Sequence, residues 1–70
     1  MKFEDYKIIL YRQETGSWVA EIPAIPGSYA LMKTREKSLA ELPNVFCMIE
    51  DEYREKGQEL PVDSTEIVNA

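Results

Sequence analysis

Histidine is absent from these 70 residues, and cysteine occurs once, as Cys47. A lone thiol forms no intramolecular disulfide. With no histidine and no CxxC pair, a structural zinc site has no ligand set. The common Ser-His and Cys-His arrangements for nucleophilic catalysis are likewise missing their base. Basic side chains are also scarce: 8 Lys and Arg stand against 13 Asp and Glu, a net charge of −5. That balance opposes direct binding to nucleic acid backbones or anionic membranes, which need clustered cations. No apolar run approaches the ~20 residues of a membrane span. The opening Met1-Lys2-Phe3-Glu4-Asp5-Tyr6 lacks a signal-peptide pattern. These features lead us to expect a soluble protein of the reducing cytoplasm.

What remains is a short chain with 44% hydrophobic residues, read as one domain over residues 1–70. A chain this short buries only about 60% of the surface exposed when unfolded, so its core is marginal. Without disulfides or metal, self-association is the usual remedy. No cofactor is expected.

Tyr6 to Tyr11 reads as the first strand. Tyr6, Ile8 and Leu10 alternate with Lys7, Ile9 and Tyr11. Both faces are largely apolar, which implies cover on both sides or a subunit interface. Arg12-Gln13-Glu14-Thr15-Gly16 has hairpin-turn composition. Trp18 to Ile22 is the second strand, and Pro23, lacking an N–H, ends it. Pro26-Gly27 is a turn pair. Ser28 to Met32 is the third strand, completing an antiparallel meander.

Thr34 is suited to cap a helix, because its hydroxyl can accept an orphan N–H. Leu39, Leu42, Phe46, Ile49 and Tyr53 recur at spacings of three and four. They form an apolar stripe, widened by Val45 and Met48, on a helix running to about Lys56. Gly57 stands where a glycine ends helices. Glu50 with Arg54 and Glu52 with Lys56 are i,i+4 pairs in the favourable order. Pro43 conflicts with a straight helix, since it removes the bond to the Leu39 carbonyl and costs ~3 kcal/mol. One kinked helix, or two helices with Pro43 starting the second, are both open; the unbroken stripe favours the first. Leu60-Pro61-Val62 and Glu66-Ile67-Val68 are candidates for a short fourth strand. The expected fold is α+β: a three-stranded antiparallel meander, one long helix packed on it, and a short last strand, in β-β-β-α-β order.

The wording of this order carries a resemblance. An aromatic-led strand and Gly hairpin precede Val19-Ala20-Glu21-Ile22-Pro23 and Ile25-Pro26-Gly27-Ser28-Tyr29-Ala30. Thr34, Gly57 and Leu60-Pro61 follow at matching positions. The set resembles the HicB-like antitoxin domain over nearly the whole chain. Departures are Met32-Lys33 where that family commonly has Gly-Asp, Lys37-Ser38 where it has Glu-Ala, and Pro43 in mid-helix. The resemblance implies a partial ribonuclease H-like fold that forms homodimers or homotetramers. It implies an interaction domain that binds and blocks a small basic mRNA-cleaving toxin of the HicA type. Many such proteins continue into a DNA-binding module; the residues after Gly57 leave no room for one, so operator binding is not implied.

The residues expected to meet the partner are Glu21, Pro23, Ile25 and Pro26 around the proline loop, and Glu50 and Glu52 in the acidic end of the helix. There, Glu50, Asp51, Glu52 and Glu55 oppose the macrodipole, as do Lys33, Arg35 and Lys37 at its start. The plainer account of both clusters is a solvated face. Metal-dependent nuclease chemistry needs several converging carboxylates. The first strand has none, and Asp5, Glu21 and Asp63 are better read as solvated charges, so no enzyme is expected. Cys47 is expected to be a partly buried small hydrophobe. The strand aromatics Tyr6, Tyr11, Trp18 and Tyr29 are expected to pack in the core or an interface.

Overall fold

The computed structural model describes residues 2–68. Its elements are a 3-10 turn at Phe3–Asp5, strands β1 (Ile9–Arg12), β2 (Trp18–Glu21) and β3 (Tyr29–Met32), and helix α1 (Arg35–Glu55). The strands pair antiparallel in the order β1-β2-β3. The meander and the helix packed on it are as the alternation and stripe predict. No described helix is long and apolar enough to cross a membrane.

The β1–β2 hairpin closes through Gln13 N–H to the Ser17 carbonyl at 2.8 Å, with Gly16 at φ 93°. A three-residue connection of this kind needs a left-handed residue, which glycine supplies without steric cost. Register then sorts the side chains. Leu10, Ala20 and Ala30 lie abreast on one face, and the two alanines belong to the core with Tyr6, Ile22, Ile25, Leu42 and Phe46. Small residues at the sheet centre let α1 approach closely.

The helix begins as its sequence predicts. Thr34 Oγ1 accepts from Lys37 N–H at 3.1 Å. It ends in a Schellman motif: Gln58 N–H reaches the Tyr53 carbonyl at 2.9 Å and Gly57 N–H the Arg54 carbonyl at 3.1 Å, with Gly57 at φ 67°. The helix is continuous through Pro43, so the single-helix account holds. Leu42 and Phe46 are buried, and Leu39, Val45, Ile49 and Tyr53 pack beside them. Ser38, fully buried, returns its hydroxyl to the Arg35 carbonyl at 2.8 Å.

Several expectations need correction. β1 starts at Ile9, not Tyr6, because Lys2 N–H bonds to Asp5 Oδ2 at 2.8 Å and winds the preceding residues into the 3-10 turn. Tyr6 follows that turn into the core, where its ring meets Phe46 at 5.8 Å; Phe3 meets Phe46 edge-on at 5.5 Å. Residues 58–68 form no fourth strand. Acceptors there are used otherwise: the Pro61 carbonyl accepts from Tyr6 Oη, and the Asp63 side chain, rather than a main-chain carbonyl, accepts from Lys7 N–H. Met48 and Cys47 are exposed, off the buried stripe. Arg54 pairs with Glu50 at 4.0 Å and with Asp51 at 3.1 Å. These are the only ion pairs among the described residues, so the expected Glu52–Lys56 pair is not made.

Candidate functional site

The segment between β2 and β3 is two successive β-turns. Ile25 N–H bonds to the Ile22 carbonyl at 3.1 Å, and Ser28 N–H to the Ile25 carbonyl at 3.1 Å. Pro23 and Pro26 each occupy the second position of their turn, where a preset φ suits the geometry. Gly27, at φ 81°, takes the third position of the second turn, which requires a positive φ. Ile22 N–H to the Ser28 carbonyl, 2.9 Å, closes the base of the loop.

This geometry divides the sequence-derived contact residues. Pro23 and Pro26 are exposed at the two corners. Ile25, where the turns meet, points inward and is 1% exposed. It anchors the loop to the core and is not available to a partner. Glu21 is half-buried on β2, beside the loop. Glu50 is half-buried on α1, and Glu52 is exposed.

The acids and the loop lie at one end of the molecule. β1 enters the sheet opposite Glu21, so Tyr6 and Lys7 stand at the proline-loop end. Phe46 reaches this same end through Phe3 and Tyr6, and the last turns of α1 continue from it. The electrostatics agree. Burial, then the charges of Asp63 and Asp5, then Tyr53 and Glu50, push the Tyr6 hydroxyl above its usual value. Asp63 is held below the usual carboxylate value, chiefly by the Lys7 N–H and then by the N–H and hydroxyl of Thr65. Sequence reasoning assigned no partner role to Asp5 and Asp63. Their placement depends on the 3-10 turn and the docked tail, neither of which has a periodic signature.

These acids do not build a metal centre. Asp5 and Asp63 turn carboxylate oxygens to backbone N–H groups. Among the described residues no cluster of three or more Asp, Glu, Cys or His can hold an ion. A shallow, mostly apolar depression of about 500 Å³ lies at the opposite end of β3, bounded by Ser17, Leu31, Met32, Lys33 and Lys37. It is remote from the proline loop.

The other face of the sheet differs in character. Ile9, Glu21 and Tyr29 lie abreast there, and so do Tyr11, Val19 and Leu31. Val19 is buried yet stands outside the core cluster. Its register partners on the neighbouring strands are Tyr11 and Leu31.

No family model matches the chain, and no solved structure matches it. The sequence is similar to UPF0150 protein Ta0767 of Thermoplasma acidophilum, 25% identical over 61 residues, which span 87% of this chain and 88% of that protein. The name of that relative states no activity.

Proposed function

We propose that the chain is a HicB-like, antitoxin-type interaction domain that binds and occludes a small basic mRNA-cleaving toxin. The observation that carries this reading is that the proline double turn, through Ile22 and Ile25, shares its core with Tyr6, whose hydroxyl feels the charges of Asp63, Asp5 and Glu50. A rigid corner beside several acids complements a basic surface, because charge complementarity raises association rates and excludes acidic partners. Pro23 and Pro26 fix the shape of the corner, so little conformational entropy is lost on docking. The domain acts by coverage and performs no chemistry of its own. It works in the cytoplasm, where its mRNA-cleaving target would act.

Co-expression with an adjacent small basic reading frame, followed by pull-down and growth rescue, tests the proposal. Glu50→Lys with Glu52→Lys should slow association and flatten its salt dependence. Binding that is indifferent to both changes and to salt would overturn the electrostatic mechanism. The uncovered sheet face favours a second reading, an orphan homo-oligomeric binding domain of the same fold. Absence of any captured toxin, with oligomers present, would select that reading.

A further inference from the structure

We propose that the free edge of β3 and the depression beside it bind an extended peptide segment of a partner protein, acidic at one end and apolar next to its acids. The proposal does not depend on the toxin reading, which uses the opposite end of the molecule.

The edge follows from the register. Ile22 N–H bonds to the Ser28 carbonyl. The alternate pairs Ala20 with Ala30 and Trp18 with Met32 are then the ones that exchange main-chain bonds. Tyr29 and Leu31 therefore turn their main-chain groups away from β2. Among the described residues no strand lies beyond β3 in the sheet. The Tyr29 N–H is taken by the Gly27 carbonyl at 3.2 Å. That leaves the Leu31 N–H and carbonyl and the Tyr29 carbonyl at the edge, beside side chains that are themselves exposed. Extended peptides add to such edges: main-chain bonds give affinity, and side-chain sites give specificity.

The depression supplies the specificity. It opens where β3 ends, between Ser17, Leu31, Met32, Lys33 and Lys37. Leu31 belongs to the outer face of the sheet and Met32 to the helix-facing one, so the hollow straddles the edge. Its walls are mostly apolar, and its two charges are both positive. Both lysines are exposed. In a chain of net charge −5, this is a local reversal of sign. The ion pairs among the described residues all belong to Arg54, so neither Glu14 nor Glu36 neutralises these lysines. A strand laid along β3 alternates its side chains between the two faces. An apolar residue set beside Leu31, followed by acids toward Lys33 and Lys37, matches the whole hollow. Lysine at an edge also discourages indiscriminate pairing; here it admits the segment that brings carboxylates and repels a basic one.

Fluorescence anisotropy of the full chain with a labelled peptide, Glu-Glu-Val-Thr-Val-Thr, tests the proposal. The expected result is saturable, sub-millimolar binding that weakens with added salt. The same peptide with Lys in place of Glu should not bind. Lys33→Glu with Lys37→Glu should weaken binding about tenfold or more. Lys2→Glu with Lys56→Glu makes the same change in net charge elsewhere and should alter binding by less than about twofold, because distant charges are screened. Amide NMR of the unaltered chain should show the Leu31 N–H shifting and gaining protection from exchange as peptide is added. No saturable binding, equal loss in both double variants, or shifts confined to β1 or the proline loop would each overturn the proposal. Displacement of the peptide by an oligothymidylate of equal charge would also overturn it, by marking the lysines as a phosphate site.

Discussion

The Tyr6 hydroxyl donates to the Pro61 carbonyl at 2.6 Å, joining residues 55 apart in sequence. Beside it, the Lys7 N–H donates to Asp63 Oδ2 at 2.6 Å, and Asp63 Oδ1 accepts the Thr65 N–H at 2.9 Å. Two contacts from adjacent residues therefore hold the tail to the start of the chain. Tyr6→Phe keeps the ring against Phe46 and deletes only the hydroxyl. The expected loss is about 1 kcal/mol, the usual net value of one hydrogen bond. Urea unfolding should read that loss. Hydrogen exchange should show faster opening over residues 60–65, with α1 unaffected.

The same latch sets the pH response. Asp63 lies below its ordinary value of 3.8, so the folded chain binds that proton less tightly than the unfolded one. Its contribution is full above the unfolded value and disappears as pH falls through the folded one. Tyr6 lies above its ordinary value of 10.0, so its contribution is full below pH 10 and is lost as pH rises through the folded value. The Lys7 and Thr65 amide signals should titrate together on the acid side. Asp63→Asn should abolish that shared step, and its persistence would assign it to another carboxylate.

Ser28 is buried, and its hydroxyl has no hydrogen-bond partner among the described residues. A buried unsatisfied polar group costs free energy that alanine does not. Ser28→Ala should therefore stabilise the domain by about 1 kcal/mol, raising Tm by roughly 4–8 °C. Calorimetry would show it; a lowered Tm would indicate that the hydroxyl is satisfied in solution.

Pro43 lies within α1, between the buried turns of Leu42 and Phe46. It supplies no N–H for the Leu39 carbonyl. Pro43→Ala should raise stability by about 2 kcal/mol, read as a higher urea midpoint at unchanged slope. No gain would mean that the local helix geometry imposed by proline is needed for core packing.

Elements with strong local chemistry were legible in the sequence. Thr34 and Gly57 marked the ends of the helix to within a residue. The alternation of Trp18 to Ile22 and the turn pair Pro26-Gly27 located two strands and their connection. Tyr6 was misplaced because an aromatic at the head of an alternating run looks like strand, while the competing bond from Lys2 to Asp5 is local and aperiodic. Leu60-Pro61-Val62 had extended composition, but its docking is decided by Tyr6 and Lys7, far away in sequence. At the candidate site, Pro23 was legible as the end of a strand and Pro26 as part of a turn. Ile25 was not, because a double turn sends its shared residue inward, and composition alone does not reveal that reversal. The outer sheet face was foreshadowed by the apolar character of both faces of β1. Its extent required the register of all three strands.

The sequential strand order has a kinetic consequence. β1 meets β2, β2 meets β3, and the helix folds back on the strands just completed. Each step closes a short loop, so little chain entropy is lost before contacts compensate for it. Such a topology should fold quickly, and the tail contact, which closes the longest loop, should form last. Stopped-flow or temperature-jump relaxation on Tyr6→Phe would then show an almost unchanged folding rate and a faster unfolding rate.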